Sequence, residues 1–239
     1  MRYYYDLHLH TCLSPCGDDD MTPNNIVNMA MLKGLDIIAI SDHNTIGNYR
    51  AVMEVARNSG GLLVVPAMEL CTAEEIHLLC YFPDFYQANL FQKELSGYLP
   101  PIKNKEEIFG RQIYCDAADE ITGIEESFLA GASSLDADSA IRMVRAMGGA
   151  VVPAHVDRES FSMLNTLGSI PAEYELTYLE YSKRCHPEAF IREHQALAAY
   201  PYLQSSDAHF LWDIMERENA IELEEKSTSC LIEKINAGY

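Results

Sequence analysis

Short apolar runs alternate with helical segments along this chain, and that alternation limits the fold more than any other feature of the sequence. The apolar runs have the length and composition of buried strands and lie at residues 36–40, 62–66, 76–81 and 149–154. Segments with helical spacing separate them, at residues 22–33, 48–58 and 136–147. This alternation predicts βαβ units and a parallel sheet, but periodicity does not decide whether the sheet is open or closed.

The length of 239 residues suits one large domain with a sizeable core. We therefore predict a single domain over residues 1–239. Residues 83–134 are less regular and contain a Pro-Pro break and a charged run. They predict a helical excursion from the sheet, which either forms a lid over the site or consists of ordinary crossover helices.

The composition predicts a cytoplasmic protein without a membrane partner. No apolar run approaches the roughly 20 residues of a membrane-spanning helix, and residues 1–6 lack the apolar core of a secretory signal. Seven scattered cysteines favour reduced thiols over a disulfide framework. The sequence leaves the oligomeric state open.

The net charge of −19 bears on the partners that the protein can bind. A surface this acidic repels polyanions and disfavours extended nucleic acid. A small phosphorylated substrate remains compatible, because bound cations can reverse the sign of the charge inside one pocket.

Six of the eight histidines lie at or near the C-terminal end of a predicted strand, and two carboxylates share this placement. In parallel α/β proteins these strand ends form the reacting face. The histidines are His8, His10, His43, His77, His155 and His209, and the carboxylates are Glu69 and Asp207. Side chains two residues apart in a strand point the same way, so His8 and His10 can reach the same ion.

A single histidine at a strand end is more often a hydrogen-bonded core residue than a ligand. Six of them with two carboxylates need a common cause, because such groups are costly to crowd into one pocket without a cation. The set therefore predicts a divalent metal centre. Imidazole suits zinc, iron and manganese, and carboxylate suits manganese and magnesium, so the residue types do not name the metal.

Five short motifs around these residues resemble those of the PHP (polymerase and histidinol phosphatase) family. They occur in order at residues 6–11, 41–44, 69–79, 153–155 and 206–209, and they span most of the chain. The resemblance implies an α/β fold, a distorted TIM-like barrel of seven β/α units. It also implies two or three divalent metal ions (zinc, manganese or iron, with magnesium possible) at the C-terminal ends of the strands.

The resemblance further implies how the ligands are shared among the ions. One ion would be held by His8, His10, Glu69 and Asp207. A second ion, bridged to the first by Glu69, would also be held by His77 and His155. A third would be held by His43 and His209. Asp42 would orient a histidine, as carboxylates beside metal ligands commonly do.

One position departs from the family pattern. Members of the family usually supply a further ligand for the third ion five or six residues after the second histidine, where this chain has Pro15 and Cys16. Cys16 as a thiolate would favour a softer ion such as zinc or iron, and Asp18 would reach the ion after a small loop shift. The alternative is that Cys12 and Cys16 only pack a tight loop.

The resemblance implies a metal-dependent phosphoric ester hydrolase acting on a small phosphate ester, such as a nucleotide, a sugar phosphate or a histidinol phosphate-like monoester. Cations bridged by Glu69 would lower the pKa of a shared water, and the resulting hydroxide would attack phosphorus. The proton for the leaving oxygen would come from His209, from His43 or from a water on a metal. The sequence does not choose among them.

Cationic side chains would hold the phosphate oxygens that the metals leave free. Arg158 is the first candidate, because a guanidinium matches phosphate geometry, and Lys183 and Arg184 are the next. Each is equally well explained by an ordinary surface salt bridge.

Two other classes of function stay open. One is an exonuclease or oligonucleotide phosphodiesterase, against which the charge of −19 and the lack of a basic run argue. The other is a non-catalytic metal-binding PHP domain, against which the retained residues of the first two metal sites argue.

Overall fold

A computed structural model describes residues 1–238 as ten strands and eight α-helices. The strands are β1 (Arg2–Leu9), β2 (Ile37–Ile40), β3 (Leu63–Cys71), β4 (His77–Tyr81), β5 (Ile113–Cys115), β6 (Ile121–Ile124), β7 (Ala150–Pro153), β8 (Leu179–Ser182), β9 (Tyr202–Ser205) and β10 (Ala220–Glu222). The helices are α1 (Pro23–Leu32), α2 (Tyr49–Ser59), α3 (Phe85–Leu95), α4 (Glu106–Phe109), α5 (Ala137–Ala146), α6 (Met163–Leu167), α7 (Pro187–Glu193) and α8 (Thr228–Ala237).

Six strands form one curled sheet in the order β10-β1-β2-β3-β4-β7, and β8 and β9 form a parallel pair beside it. The pair is joined to the sheet beyond β7 at one end and at β1, the second strand from the other end. Val156, just past β7, donates its N–H to the carbonyl of Glu180 at 2.9 Å, and Leu9 of β1 forms a parallel bridge with Ala208 after β9. The predicted α/β fold is confirmed, and the curled sheet is consistent with the predicted distorted barrel, whereas the seven β/α units remain a prediction.

The prediction that every strand is parallel is wrong for β4. This strand runs antiparallel to both β3 and β7, and β10 runs antiparallel to β1. The cause is the short connection before β4, since only residues 72–76 separate it from β3. A parallel neighbour needs a crossover of about a dozen residues or more. The start of β4 therefore lies beside the end of β3, where His77 pairs with Cys71.

Strands β2, β4 and β7 are buried on both faces, as continuous apolar runs predict. In β2, Ile38 and Ile40 pack in a cluster under the helices, whereas Ile37 and Ala39 belong to a second cluster inside the curl. Helix α8 contributes Ile235 to that inner cluster. The helical predictions at residues 22–33, 48–58 and 136–147 are confirmed by α1, α2 and α5.

Residues 83–134 are only partly helical, which corrects the prediction of a helical excursion. After α3 and the single turn of α4, the chain forms an antiparallel hairpin of β5 and β6. The segment packs on the loops that follow β1 and β2. The amide of Asn48 donates to the carbonyl of Ile113 at 2.9 Å, and the amide of Asn44 donates to that of Leu129 at 2.7 Å. Its role as a lid remains a prediction. Within residues 1–238, every helix is too short or too polar to cross a bilayer.

Candidate metal centre

All eight predicted ligands converge at one edge of the sheet, around the carboxylate of Glu69 in β3. They come from β1, from the loops after β2, β7 and β9, and from the start of β4, which the antiparallel direction of that strand brings to the same edge. Two of the loops hold ligands in the left-handed region, with φ of 31° at His155 and 52° at Asp207. Backbone strain of this kind is often found at functional sites.

Each oxygen of the Glu69 carboxylate faces more than one imidazole. Around Oε1 lie His77 Nδ1 at 2.8 Å, His155 Nε2 at 3.1 Å and His8 Nε2 at 3.3 Å. Around Oε2 lie His43 Nδ1 at 3.0 Å and His10 Nε2 at 3.3 Å. The carboxylate is therefore placed to be shared between two ions.

The ligand atoms fall into three groups, in each of which all atoms lie within 4.8 Å of one another. The groups are His8, His10, Glu69 and Asp207; His43, Glu69 and His77; and His10, His43 and His209. The first group matches the predicted set for one ion. The second group differs from the predicted set, because it contains His43 in place of His155. The Nε2 atom of His155 lies 3.1 Å from Glu69 Oε1. In the third, His10 joins the predicted pair.

The hydrogen bonds behind the rings leave lone pairs facing the pocket. His209 Nδ1 lies 2.8 Å from the carbonyl oxygen of Asp207, and a carbonyl only accepts, so Nδ1 carries the proton. His10 Nδ1 lies 2.9 Å from the Ser14 hydroxyl, whose own proton goes to Asp42 at 2.7 Å, so this Nδ1 also donates. In each neutral ring Nε2 keeps its lone pair, as a metal ligand requires.

Several buried polar atoms of the predicted ligands have no hydrogen-bond partner among the described residues. They are His43 Nδ1, Glu69 Oε2, His77 Nε2 and His155 Nδ1. The first two lie 3.0 Å apart, but they are not aligned as a hydrogen bond. Unpaired polar atoms are costly to bury. Their concentration among the predicted ligands fits divalent cations at this site.

The charges of the pocket are strongly coupled. Burial alone would raise the pKa of the Glu69 carboxyl, but the imidazoles of His77, His8 and His43 hold it well below its usual range. Burial would lower the pKa of His8, yet nearby carboxylates, Glu180 first, raise it well above the usual value. The imidazoles and the carboxylates therefore stabilise each other's charged forms.

No family model matches the chain. An uncharacterized protein of Methanocaldococcus jannaschii is 33% identical over 79 residues, which cover 30% of this chain and 46% of that protein. Among solved structures, the lesion-specific endonuclease EndoQ of Pyrococcus furiosus matches 99% of this chain with a TM-score of 0.72 at 20% identity. The chain spans 56% of that endonuclease chain.

Two further solved structures support the assignment of the fold. A candidate metal-dependent phosphoesterase of Bifidobacterium adolescentis has a TM-score of 0.63 at 20% identity, over 95% of this chain and 94% of that one. A two-domain protein of Bacteroides vulgatus contains a predicted PHP-like metal-dependent phosphoesterase, and it matches with a TM-score of 0.57 at 16% identity, over 100% of this chain and 63% of that one. The chain has a PHP-like fold. The resemblance seen in the sequence motifs is confirmed at this level.

Glu180 is a part of the candidate metal centre that the sequence analysis missed. Its carboxylate lies 3.1 Å from His8 Nδ1 and accepts the backbone N–H of His155 at 3.0 Å. The residue is buried in β8, among apolar neighbours on the strand. A carboxylate inside an otherwise apolar predicted strand is the signal that could have revealed Glu180.

Asp42 was predicted to orient a histidine, but within residues 1–238 its carboxylate forms no direct hydrogen bond with one. It accepts hydrogen bonds from the Thr11 N–H at 2.7 Å, the Thr11 hydroxyl at 2.8 Å and the Ser14 hydroxyl at 2.7 Å. Ser14 in turn contacts His10. Asp42 therefore acts through Ser14 and through the backbone of the loop after β1.

The Cys16 thiol lies beside His43 and His209, at the third group. Desolvation by the surrounding protein would raise the pKa of this thiol, but the two imidazoles outweigh it and lower the pKa to about 5. The Asp18 carboxylate belongs to none of the three groups and accepts the Asp20 N–H at 3.0 Å. Cys16 is not a member of the three groups either, but unlike Asp18 it interacts with the imidazoles of His43 and His209, and coordination by it remains a prediction.

The three predicted phosphate-binding residues, Arg158, Lys183 and Arg184, line one cavity of about 340 Å³ next to Asp207. We call it the cation-lined cavity. Arg158 Nη1 lies 2.7 Å from Asp207 Oδ2, and Lys183 Nζ donates to the carbonyl of Asp213 at 2.6 Å. The cavity therefore joins the candidate metal centre to three cationic side chains.

Proposed function

We propose that the protein is a metal-dependent phosphoesterase that hydrolyses a small phosphate ester at the centre built around Glu69. The observation that carries the proposal is the position of this carboxylate, whose two oxygens lie 2.8–3.3 Å from five imidazoles beside the cation-lined cavity. Divalent cations bound there would activate water and neutralise the phosphoryl oxygens.

The residues of the chain have separate tasks in this proposal. Glu69 and the histidines hold the cations, and Glu180 and Ser14 fix the orientation of His8 and His10. Arg158, Lys183 and Arg184 bind phosphate oxygens that face the cavity, because cationic side chains form strong, charge-assisted hydrogen bonds with phosphate. His209 is the most exposed imidazole of the centre, with 22% of its side chain accessible. That exposure supports His209 over His43 as the group that protonates the leaving oxygen, a role that requires its Nε2 to carry a proton instead of binding a cation.

A second candidate is a phosphodiesterase that acts on oligonucleotides. It is supported by the similarity to EndoQ, which has also been solved with a 27-mer duplex carrying an abasic lesion at the active site. Against it stand the net charge of −19 and the fact that this chain spans 56% of that endonuclease chain.

The experiment is a comparison of substrates with a chelation control. Phosphate release is measured from nucleoside monophosphates, sugar phosphates and simple diesters with added Mn²⁺, and cleavage of short oligonucleotides is followed in parallel. We expect release from a monoester that stops on chelation and returns when Mn²⁺ is restored. Cleavage of oligonucleotides alone would favour the second candidate, and inactivity on every substrate would favour a non-catalytic metal-binding domain.

A further inference from the structure

An exposed pair of stacked aromatic rings borders the candidate metal centre. Phe210 follows His209 directly, and its ring lies against that of Trp212 with centroids 4.9 Å apart and planes 14° from parallel. Trp212 is 69% exposed and Phe210 is 36% exposed. Large aromatic side chains usually bury most of their surface, so a stacked pair that faces solvent beside a pocket indicates a binding surface.

The backbone that carries the two rings is held in place while the rings face outward. Lys33 Nζ donates to the carbonyl of Trp212 at 3.1 Å, and the Asp213 N–H donates to the carbonyl of Phe210 at 3.0 Å. Two residues further on, the buried Met215 donates its N–H to Asp6 at 2.8 Å. A surface that is already ordered loses little conformational entropy when a ligand binds.

The loop that carries the ring pair borders the cation-lined cavity. Asp213, the residue after Trp212, lines that cavity together with Arg158, Lys183 and Arg184. The hydrogen bond from Lys183 to the Asp213 carbonyl ties the loop of the two rings to a predicted phosphate-binding residue. If a ligand binds with an anionic group in the cavity, the part of the ligand attached to that group would therefore lie near the rings.

We infer that Phe210 and Trp212 form a stacking platform for a nucleobase, so that the substrate is a nucleotide or the end of a short single strand. This inference rests on the proposed phosphoesterase function and specifies its substrate class. Every base has a flat π-face, and aromatic side chains bind bases by stacking on it. The acidic surface of the protein is compatible with a ligand that carries few phosphates, because the cationic side chains of the cavity can neutralise them.

The first test uses the fact that Trp212 is the single tryptophan of the chain, so the intrinsic tryptophan fluorescence reports on the platform alone. Zinc-loaded protein is mixed with adenosine 5′-monophosphate or ribose 5-phosphate in a stopped-flow instrument, before turnover. We expect saturable quenching by the nucleotide and none by the sugar phosphate. Equal responses to both ligands, or no response to the nucleotide, would overturn the inference.

The second test compares variants by the ratio of kcat/KM for adenosine 5′-monophosphate to kcat/KM for ribose 5-phosphate. We expect Trp212→Ala and Phe210→Ala to lower this ratio roughly 10- to 100-fold, as the loss of one base stack implies, and Trp212→Phe to retain most of it. Tyr86→Ala, at an aromatic residue on α3 that is 64% exposed, is the matched control and should leave the ratio unchanged. An unchanged ratio in both alanine variants would refute the platform.

The two tests separate the inference from the proposed function. Quenching by the nucleotide without phosphate release from either compound would support a base-binding platform on a protein that is not a phosphomonoesterase. Phosphate release without quenching would support the phosphoesterase proposal and refute the platform.

A phosphorylated deoxyadenosine tetramer serves as a third ligand. Tighter quenching by it than by the mononucleotide would assign the platform to strand ends, and the reverse would assign it to free nucleotides.

Discussion

Oε2 of Glu180 lies 3.1 Å from Nδ1 of His8, on the opposite side of the imidazole from Glu69, whose Oε1 lies 3.3 Å from Nε2. The ring is thus held between one carboxylate that orients it and one that shares its proposed cation. Because a hydrogen bond to Nδ1 fixes the tautomer and raises the basicity of Nε2, Glu180 supports a ligand without binding the ion itself.

Glu180→Gln should therefore weaken metal binding while the fold is retained. The expected loss is roughly 10- to 100-fold in metal affinity, the usual effect of removing such a partner. Affinity is measured by competition with a chromophoric chelator, and Glu94→Gln on α3 is the matched control. Wild-type affinity in Glu180→Gln would show that the contact with His8 is only structural.

Glu69→Gln tests the sharing of one carboxylate between two ions. The amide keeps the size of the side chain but loses the charge that five imidazoles approach. We expect lower metal content by elemental analysis together with the loss of phosphate release. Full metal content and wild-type turnover in this variant would exclude a bridging role.

Metal binding should strengthen as the pH rises toward about 8. Burial lowers the pKa of His10, but hydrogen bonds with Asp207 and Glu69 outweigh burial and raise the pKa to about 8. Below this pH the ring is protonated, and a cation binds only the neutral ring, so binding must release protons. Calorimetric titration in buffers of different ionisation enthalpy measures that release. The same affinity on both sides of the His10 pKa would contradict this account.

Arg158→Ala should raise KM for a phosphorylated substrate roughly 10-fold, the lower end expected for a charged hydrogen bond at a half-exposed side chain. The side chain lines the cation-lined cavity and also contacts Asp207, so metal content is measured in the same variant. Arg158→Lys should recover part of the loss, and Arg57→Ala on α2 is the control. An unaltered KM would place phosphate binding at Lys183 and Arg184.

Cys16→Ala tests a thiolate ligand at the third group of histidines. If the thiolate binds an ion there, the cobalt-substituted protein has a sulfur-to-cobalt charge-transfer band in the near ultraviolet, and the variant lacks it and holds less metal. Cys230→Ala, at a partly buried thiol on α8, is the control. An identical spectrum and metal content in Cys16→Ala would assign the residue to loop packing.

The residues of the candidate metal centre and the class of the fold could be predicted from the sequence. The identity of these ligands depends on short local motifs, such as His8 and His10 at the end of one strand. Helices α1, α2 and α5 likewise depend on apolar spacing within one segment. Such features depend on interactions between near neighbours in the chain, so they can be recognised without knowing the fold.

Other features were decided only by the tertiary structure, because they depend on contacts between distant segments. The antiparallel direction of β4 places His77, its first residue, at the edge of the sheet that holds the other ligands. The pairing of β8 with β9, which lies against β1, brings Glu180 to His8 across 172 positions of the chain. The hairpin of β5 and β6, the cation-lined cavity and the stacking of Phe210 on Trp212 have the same origin. Sequence determined which side chains were available for metal binding, and folding decided which of them meet, because the distance between two groups in space is set by the packing of the whole sheet.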